Sequence, residues 1–568
     1  MAIKAVLALG FLAIALTAVK PIDLGDFWWH LATGRYIVEN RALPEADPFT
    51  FTATELTAQK TTVLRAYWLA QSCMYLLVDT FGFASMLALR VALLTFISVL
   101  LYMMIRKRGL NRPFSLLLVL GIAAAMREYN FLRPALLSFA LTLLVFAALE
   151  RLRTVPGAYR DYRLLAGLPV TMAIWSNMHG AYIVGAAMIG LYLAYELMLS
   201  IRRRSFDRRF TVLAALSLVA LLASGLNPAG FDYLNPGLII SEHLMPAPLK
   251  PGSFITEYYS PLRYLRELGR PVYFYSLTAY TALMAFSFAL NRRGTNLFHL
   301  ALAVIFAAAA WKAQRYGAYL FIFSVFLTGY NLSALELPRR EDIRLYALPA
   351  LAALLLLLML EAGSFRVFRS SVIPTSAASF IRESGAPANL FAPYFWGGFL
   401  DWELYPNYRT FIDGRALSEQ AFLDHGTIIR WAGQSDALLN KYGINTVLLF
   451  NLTTSSQIIP PALFALLNDS GWEPAYTDHL STVFIRRGAM AGIRPISRDR
   501  VWQQLIGLCR ARVYRFPEMA ISHAQLGVTY YYMGMMAEAR QSFLRALSID
   551  PEEQDSRLFL QAIEARGF

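Results

Sequence analysis

Long apolar segments alternate with short polar connections along the first 360 or so residues, the pattern of a polytopic helical membrane protein. The first apolar segment, about residues 3–19, carries only Lys4 as a charge. We expect it to remain as a span and not to be removed as a signal peptide, because many spans follow and no small-residue cleavage site follows Ala18. The later candidates bring the total to about eleven: 85–105, 114–126, 135–149, 164–178, 181–200, 211–226, 271–290, 297–311, 316–334 and 345–361.

A long polar stretch follows the first span, and we assign residues 20–84 to the first outer loop. Within it, Tyr67–Phe83 mixes aliphatic residues with Trp68, Gln71 and Asp79 at three- and four-residue spacing. That spacing predicts an amphipathic helix at the membrane interface, not another crossing.

Basic residues are concentrated in one alternating set of connections. Positive charge beside a span favours the cytoplasmic side, so these connections are predicted to be inside, with the N-terminus inside and the C-terminal part outside. The net charge of +14 is therefore mainly a topological feature, and nucleic-acid binding is not indicated. The basic groups are Arg106, Lys107, Arg108 and Arg112; Arg151, Arg153, Arg160 and Arg163; Arg202, Arg203, Arg204, Arg208 and Arg209; Arg292 and Arg293; and Arg339, Arg340 and Arg344.

The composition agrees with a membrane protein: 57% of residues are hydrophobic, only 16% are charged, and the mean hydropathy is +0.44. Two cysteines, Cys73 and Cys509, are too few for a disulfide framework. In a protein of this class, we look for residues with a catalytic role in the polar outer connections between the spans.

After the last span the sequence becomes that of a water-soluble protein. Short β-rich runs alternate with helical stretches over 365–492, which predicts a small extracytoplasmic α/β domain. The segments Tyr394–Gly398 and Phe411–Arg415 are predicted to be turns at strand ends, where ligands often bind in such folds. Residues 493–568 are predicted to be helical, and the spacing from Leu526 to Pro551 matches a tetratricopeptide (TPR) pair, which offers a peptide-binding groove.

The outer connections carry acids, cations, amides and imidazoles close to membrane depth. Asp23 and Asp26 lie directly after the first span, followed by Trp28, Trp29 and His30. Acids at that depth are costly unless they are paired, solvated or used. No GxxxxGK[ST], HExxH, paired CxxC or GxSxG pattern is present, so nucleotide hydrolysis, a zinc site and a serine hydrolase are not indicated.

Acids and cations on one side of a membrane suit the transfer of a group from a phosphate-linked lipid. A carboxylate takes the proton of the acceptor, and arginine or lysine stabilises the charge that develops on the phosphate leaving group. Aromatic side chains between them would contact an isoprenoid tail or the faces of a sugar.

The chain resembles the GT-C superfamily of integral-membrane glycosyltransferases, which use lipid-phosphate sugar donors. The resemblance rests on acids in the first outer loop, the many-span middle and the outward C-terminal part. The runs from Asp26 to Ile37 and from Asp47 to Thr52, and Phe411–Arg415 followed by a TPR, are similar to bacterial GT-C-like proteins of undefined substrate. The resemblance implies a transmembrane domain over 1–364, a polyprenyl-phosphate sugar donor, inversion at the sugar, and residence in the bacterial inner membrane.

The resemblance also implies roles for individual residues. Asp23 or Asp26 would be the catalytic base, with the choice between them open. A divalent metal shared by the two acids also stays open, because they are three residues apart, and no other cofactor is expected. The remaining candidates are Asp47 and Glu257 for a second acid; Arg127, Arg133, Lys312 and Arg315 for the donor phosphate; and His30, His179, Trp28 and Trp29 for the cleft.

Three alternatives are left open. Asp23 and Asp26 could simply solvate the end of a span. The chain could be a non-catalytic membrane scaffold whose outer α/β and TPR regions recruit a protein or peptide. It could also handle or polymerise lipid-linked sugars without an acid base.

Overall fold

The computed structural model describes residues 2–22, 25–54, 64–231, 256–269, 271–335, 343–358, 366–369, 371–452, 458–490 and 492–567. The chain divides into two compact units. The first, called the helical unit below, consists of Met1–Ile22, Thr33–Leu43 and Thr61–Val367. The second, called the mixed unit, consists of Asp23–Ala32, Pro44–Lys60 and Phe368–Phe568. The first polar loop is therefore shared between the two units.

Each apolar segment predicted as a span forms a helix with nearly the predicted bounds. The predicted amphipathic segment is also a helix, and a further helix begins directly after the Asp26 region. These helices are α1 Ala2–Thr17, α2 Phe27–Asn40, α3 Trp68–Phe81, α4 Ala84–Lys107, α5 Arg112–Ala125, α6 Pro134–Thr154, α7 Tyr162–Met178, α8 Tyr182–Arg203, α9 Arg208–Ala223, α10 Pro261–Leu268, α11 Pro271–Leu290, α12 Leu297–Lys312, α13 Gly317–Ser333 and α14 Ala347–Leu358.

Among the described helices, four are long and apolar enough to cross a membrane: α4, α6, α8 and α11. Shorter apolar helices are Ile3–Thr17, Leu297–Lys312 and Arg344–Leu358. Several of the predicted spans have fewer residues than a crossing of about 30 Å usually needs, for instance 14 in α5 and 12 in α14. The prediction of about eleven spans therefore stays a prediction.

Helix α13 forms the core of the helical unit. It is buried from Gly317 to Leu327 without interruption, as expected of a helix that is apolar on all sides. Its aromatic residues lie against neighbouring helices: Phe323 stacks on Phe306 of α12 with ring centroids 4.2 Å apart, and Phe326 meets Phe146 of α6 edge-on at 4.8 Å. This dense aromatic packing fixes the position of the turn that precedes α13.

The predicted inner ends of these helices contain an acid that the sequence analysis did not single out. Glu150 of α6 is only 3% exposed and ion-pairs with Arg108 and Arg153. The Nε2 atom of His299 lies 2.8 Å from the same carboxylate. Some of the basic residues assigned to topology are thus also structural, because they neutralise a buried carboxylate.

The mixed unit is built on a four-stranded sheet of order β1-β2-β4-β3. Strand β1 is parallel to β2, and β4 is antiparallel to both of its neighbours, so the sheet is mixed. Beyond β1, Thr410 forms parallel bridges to Leu390 and to Thr50, which brings the first polar loop to this edge of the sheet. The strands are β1 Leu390–Phe391, β2 Thr446–Phe450, β3 Trp472–Thr477 and β4 Ser481–Arg486.

Helices cover this sheet and continue to the end of the chain. Gly527 and Phe543 face each other across two of them: a Cβ at Gly527 would lie 2.6 Å from the Phe543 ring, so glycine permits close helix packing there. The assignment of this pair as a TPR stays a prediction. The helices are α15 Thr375–Ser384, α16 Tyr394–Leu404, α17 Glu419–Ile429, α18 Ser435–Lys441, α19 Pro461–Asn468, α20 Arg498–Arg515, α21 Ala520–Tyr532, α22 Met536–Ile549 and α23 Gln554–Glu564.

The prediction of a turn at Tyr394–Gly398 was wrong, because this segment is the beginning of α16. The two glycines of this segment allow other parts of the chain to pack closely against the helix. A Cβ at Gly397 would lie 2.2 Å from the carbonyl oxygen of Ile412, and a Cβ at Gly398 would lie 3.0 Å from the backbone nitrogen of Trp29.

We predict that Gly34→Ala destabilises the helical unit. A Cβ at Gly34 in α2 would lie 2.1 Å from the backbone oxygen of Gln71 in α3, and a backbone atom cannot move aside as a side chain can. Gly167→Ala in α7 is the matched control, since a Cβ there meets nothing within 4 Å. Thermal unfolding of the purified protein in detergent should show a lower Tm for the first variant only; equal Tm values would contradict the helix contact.

Candidate active site

Three of the predicted site residues come together in the helical unit. Glu257, in the short 3-10 turn Thr256–Tyr258, ion-pairs with Arg133, which directly precedes α6. The guanidinium of Arg315 lies over the Tyr258 ring, 4.9 Å from its centroid. Burial alone would raise the pKa of Glu257, but the charges of Arg133 and Arg315 outweigh it, so the pKa is lowered and the carboxylate is ionised.

The turn that carries Arg315 is held by hydrogen bonds from two directions. The hydroxyl of Tyr129 donates to the backbone oxygen of Gln314 at 2.5 Å. The backbone nitrogen of Gln314 donates to the oxygen of Tyr259 at 2.9 Å, which links this turn to the segment that bears Glu257. Both arginines thus lie at helix ends whose backbones are held in place. This arrangement suits the binding of an anion.

The other two predicted phosphate ligands lie outside this ion pair. Arg127 lines a small cavity together with Thr17, Ser98 and Asn130. Lys312 is an exposed residue at the end of α12. The described surroundings of these two residues add no support for phosphate binding.

His179 is held in a defined orientation by its neighbours. The backbone N–H of Ala181 donates to its Nδ1 at 3.2 Å, and the Oγ of Ser138 lies 2.9 Å from the same atom. Since Trp175 donates its indole N–H to Ser138, the serine hydroxyl is free to donate to His179. This network assigns the ring proton to Nε2. The Tyr67 ring stacks on the imidazole with centroids 5.3 Å apart.

In the mixed unit, Asp47 is a buried acid fixed within its own turn. Its carboxylate accepts hydrogen bonds from the backbone N–H of Thr50 at 3.0 Å and from the Thr50 hydroxyl. A distance of 2.8 Å separates its Oδ1 from Nη1 of Arg415, and its side chain has no exposed surface. These contacts give Asp47 a structural role.

Arg415 joins Asp47 to Asp413. Its Nε lies 2.9 Å from Oδ2 of Asp413, and Nη2 bonds to the same oxygen. The guanidinium is 5% exposed and lies over the Phe49 ring at 5.2 Å. The two acids offset the cost of burying the cation and hold its pKa above the usual value against the effect of burial.

A further buried acid, Asp401, lies beside this cluster. Its Oδ1 accepts a hydrogen bond from the Thr410 hydroxyl at 2.8 Å, and the residue is 2% exposed. Burial, and the charge of Asp413, raise its pKa well above the usual range although Arg415 opposes the shift. The protonated form of Asp401 is therefore favoured.

Asp26 lies directly before α2, where the indole Nε1 of Trp29 donates to its Oδ1 at 3.2 Å. Gly414 comes close to the same pair of groups: a Cβ there would lie 3.3 Å from Nε1 of Trp29 and 3.4 Å from Oδ1 of Asp26. Asp23 lies outside the described residues.

The aromatic residues after Asp26 are buried. Trp28 is 2% exposed and stacks on Phe368 at 5.8 Å. His30 is 4% exposed, and its ring lies 3.5 Å from the Trp29 ring. In the parts of the chain with described coordinates, no group of three or more His, Cys, Asp or Glu side chains is arranged to hold a metal ion.

Neither protein-family models nor curated proteins match this sequence, but solved structures do. ArnT from Cupriavidus metallidurans in the apo state matches with a TM-score of 0.52 and 13% identity, over 87% of this chain and 99% of that one. The apo oligosaccharyltransferase of Archaeoglobus fulgidus matches with a TM-score of 0.51 and 11% identity, over 79% and 70%. The mycobacterial arabinofuranosyltransferase AftD matches with a TM-score of 0.53 and 14% identity, over 85% of this chain and 40% of that one.

These neighbours are GT-C glycosyltransferases, so the predicted resemblance is confirmed at the level of the fold. The chain therefore shares the overall fold of these solved structures.

We predict that Asp401→Asn stabilises the mixed unit, and that the gain grows as the pH rises. A carboxyl whose folded pKa is raised loses stability as the pH rises from the unfolded pKa, about 3.9, through the folded one. The amide cannot ionise and still accepts from Thr410, so the Tm of the variant should exceed that of the wild type by a small margin at pH 5 and by a larger one at pH 8.

Asp413→Asn is the contrasting variant, since it removes a charge that Arg415 needs and should lower the Tm at both pH values. Equal losses of Tm for both variants at pH 8 would show that Asp401 is ionised in the folded protein.

Proposed function

We propose that this chain, with its GT-C-like fold, transfers a sugar from a polyprenyl-phosphate donor to an acceptor outside the cytoplasm, with inversion at the sugar. The observation that carries the proposal is the convergence of Arg133 and Arg315 on Glu257 within that fold. Two guanidinium groups at fixed helix ends suit a phosphate, which arginine binds with two parallel hydrogen bonds. Glu257 holds Arg133 by an ion pair, and its charge also favours the charged form of Arg315 nearby.

The proposed reaction is a single displacement. The acceptor oxygen or nitrogen forms a bond to the anomeric carbon of the sugar, and the bond from that carbon to the phosphate oxygen breaks. A carboxylate of Asp26 or Asp23 takes the acceptor proton, and the polyprenyl phosphate leaves as an anion that Arg133 and Arg315 stabilise. The indole N–H of Trp29 donates to the carboxylate of Asp26. The choice between Asp26 and Asp23 stays open.

The same proposal assigns the chain to the bacterial cytoplasmic membrane, with the N-terminus inside and the C-terminal part outside. The distribution of basic residues along the sequence supports this orientation. A non-catalytic scaffold is the second candidate, and it is favoured by the tightly packed helices α21 and α22, which could serve as a peptide-binding pair.

We predict that Asp26→Asn abolishes sugar transfer if Asp26 is the base. An amide cannot take the acceptor proton, so the rate should fall by roughly 10²- to 10⁴-fold. The measurement is incorporation of radiolabelled sugar from a polyprenyl-phosphate donor by membranes that contain equal amounts of each variant, with Asp23→Asn tested in parallel. Full activity in both single variants and in the double variant would exclude a general-base role for these acids and favour the scaffold.

A separate prediction concerns the donor phosphate. Arg133→Gln and Arg315→Gln should each raise KM for the donor and lower kcat, because the phosphate gains charge as the bond to the sugar breaks. Arg151→Gln is the matched control, since Arg151 is also an ion-paired arginine near an end of α6 and pairs with Asp161. Unchanged kinetics in both of the first variants would remove these arginines from the site.

A further inference from the structure

We propose that the Asp413–Arg415 turn positions the catalytic base, taken here as Asp26. The turn holds Trp29 so that the indole N–H donates to the Asp26 carboxylate. This inference rests on the proposed function and adds a role for residues that no part of the proposed chemistry uses. The two residues in direct contact are Trp29 and Asp26, with 3.2 Å between Nε1 and Oδ1.

The indole of Trp29 lies between two glycines, which come from different parts of the chain. Gly398 of α16 lies against its backbone and Cβ, and Gly414 lies against the edge of the ring that carries Nε1. The backbone φ of Gly414 is not in the left-handed region, so its conformation does not require glycine. The glycine is explained instead by close packing, because a side chain at position 414 would lie next to Trp29 and Asp26.

The turn itself is fixed from both sides. The Asp413 carboxylate accepts from the backbone N–H of Arg415 at 2.8 Å, which closes the turn, and the Tyr394 hydroxyl donates to the oxygen of Gly414 at 3.1 Å. The guanidinium of Arg415, held by Asp413 and Asp47, lies 5.9 Å from the centroid of the Trp29 ring. The indole thus rests on a buried ion cluster and not on a mobile loop.

A donor fixed in this way stabilises the ionised form of a carboxylate base, the form that is able to take a proton. It also helps to fix the orientation of the carboxylate, because it binds Oδ1. Among the described residues, the charged and titratable groups near the pair include Arg415, Asp413 and Asp47 of the cluster, and His30 beside the Trp29 ring.

The test compares Trp29→Phe and Gly414→Ala with the wild type in the sugar-transfer assay. The first change keeps an aromatic ring but removes the donor. The second adds a Cβ 3.3 Å from Nε1 of Trp29 and 3.4 Å from Oδ1 of Asp26, so these groups must shift by a few tenths of an ångström. Trp29→Phe should lower kcat by about tenfold to a hundredfold, the usual effect of losing a hydrogen bond to a charged group, with little change in KM; Gly414→Ala should lower kcat by less. The acidic limb of the pH–rate profile should shift upward by about one unit in Trp29→Phe.

Matched controls separate this effect from a general loss of packing. Trp502→Phe changes another buried indole, which stacks on Phe464, and Gly433→Ala adds a Cβ where nothing lies within 4 Å. Both should keep the kcat and the pH profile of the wild type.

The outcomes distinguish the two proposals. If Asp26→Asn is inactive while Trp29→Phe and Gly414→Ala keep the wild-type kcat and pH profile, the positioning role is wrong and the proposed function stands. If Asp26→Asn is fully active, the base is misassigned and the positioning role is lost with it. A fall in kcat with a shifted acidic limb in Trp29→Phe, and with unchanged controls, supports the positioning role.

Discussion

The buried ion cluster of Asp47, Arg415 and Asp413 is the constraint on which the mixed unit depends. Removing one member of such a cluster leaves a charge buried without a partner, at a cost of about 3–5 kcal/mol. Because Asp47 comes from the first polar loop and the other two from the C-terminal half, the cluster can form only when both ends of the chain have folded together. The mixed unit is therefore a composite, with Thr50 of the loop bridged to Thr410 at the edge of its sheet.

The same constraint separates structural acids from the candidate catalytic acid. Asp47 has both carboxylate oxygens engaged, one with Arg415 and the other with Thr50 of its own turn. Its role as a second catalytic acid stays a prediction. Asp26 is only partly buried, and the indole N–H of Trp29 donates to its carboxylate. In the helical unit, Glu257 ion-pairs with Arg133 and lies within the electrostatic influence of Arg315. The candidate chemistry thus concentrates on Asp26, with Asp23 as the alternative, and on Arg133 with Arg315.

Local patterns in the sequence predicted the elements well and the contacts between them poorly. Hydropathy located α4 within two residues at each end, and strands β1 to β4 all lie within 365–492, where the β-rich runs were predicted. The pairing of Asp47 with Arg415 could not be predicted, because ion pairs between distant segments leave no periodicity. Gly397 and Gly398 suggested a turn, whereas their lack of side chains serves close packing inside a helix. Glu150 was missed for a related reason: a single acid among many arginines has no distinctive spacing.

The composite nature of the mixed unit is tested most directly by hydrogen–deuterium exchange over residues 49–52 and 409–411. In these segments the Phe51 amide donates to Thr410 and the Thr410 amide donates to Phe49. The account predicts that Arg415→Gln increases exchange in both segments as much as Asp47→Asn does, and that the double variant adds little more. Protection that persists in Arg415→Gln, or losses that simply add in the double variant, would contradict the claim that this ion pair joins the first loop to the C-terminal sheet.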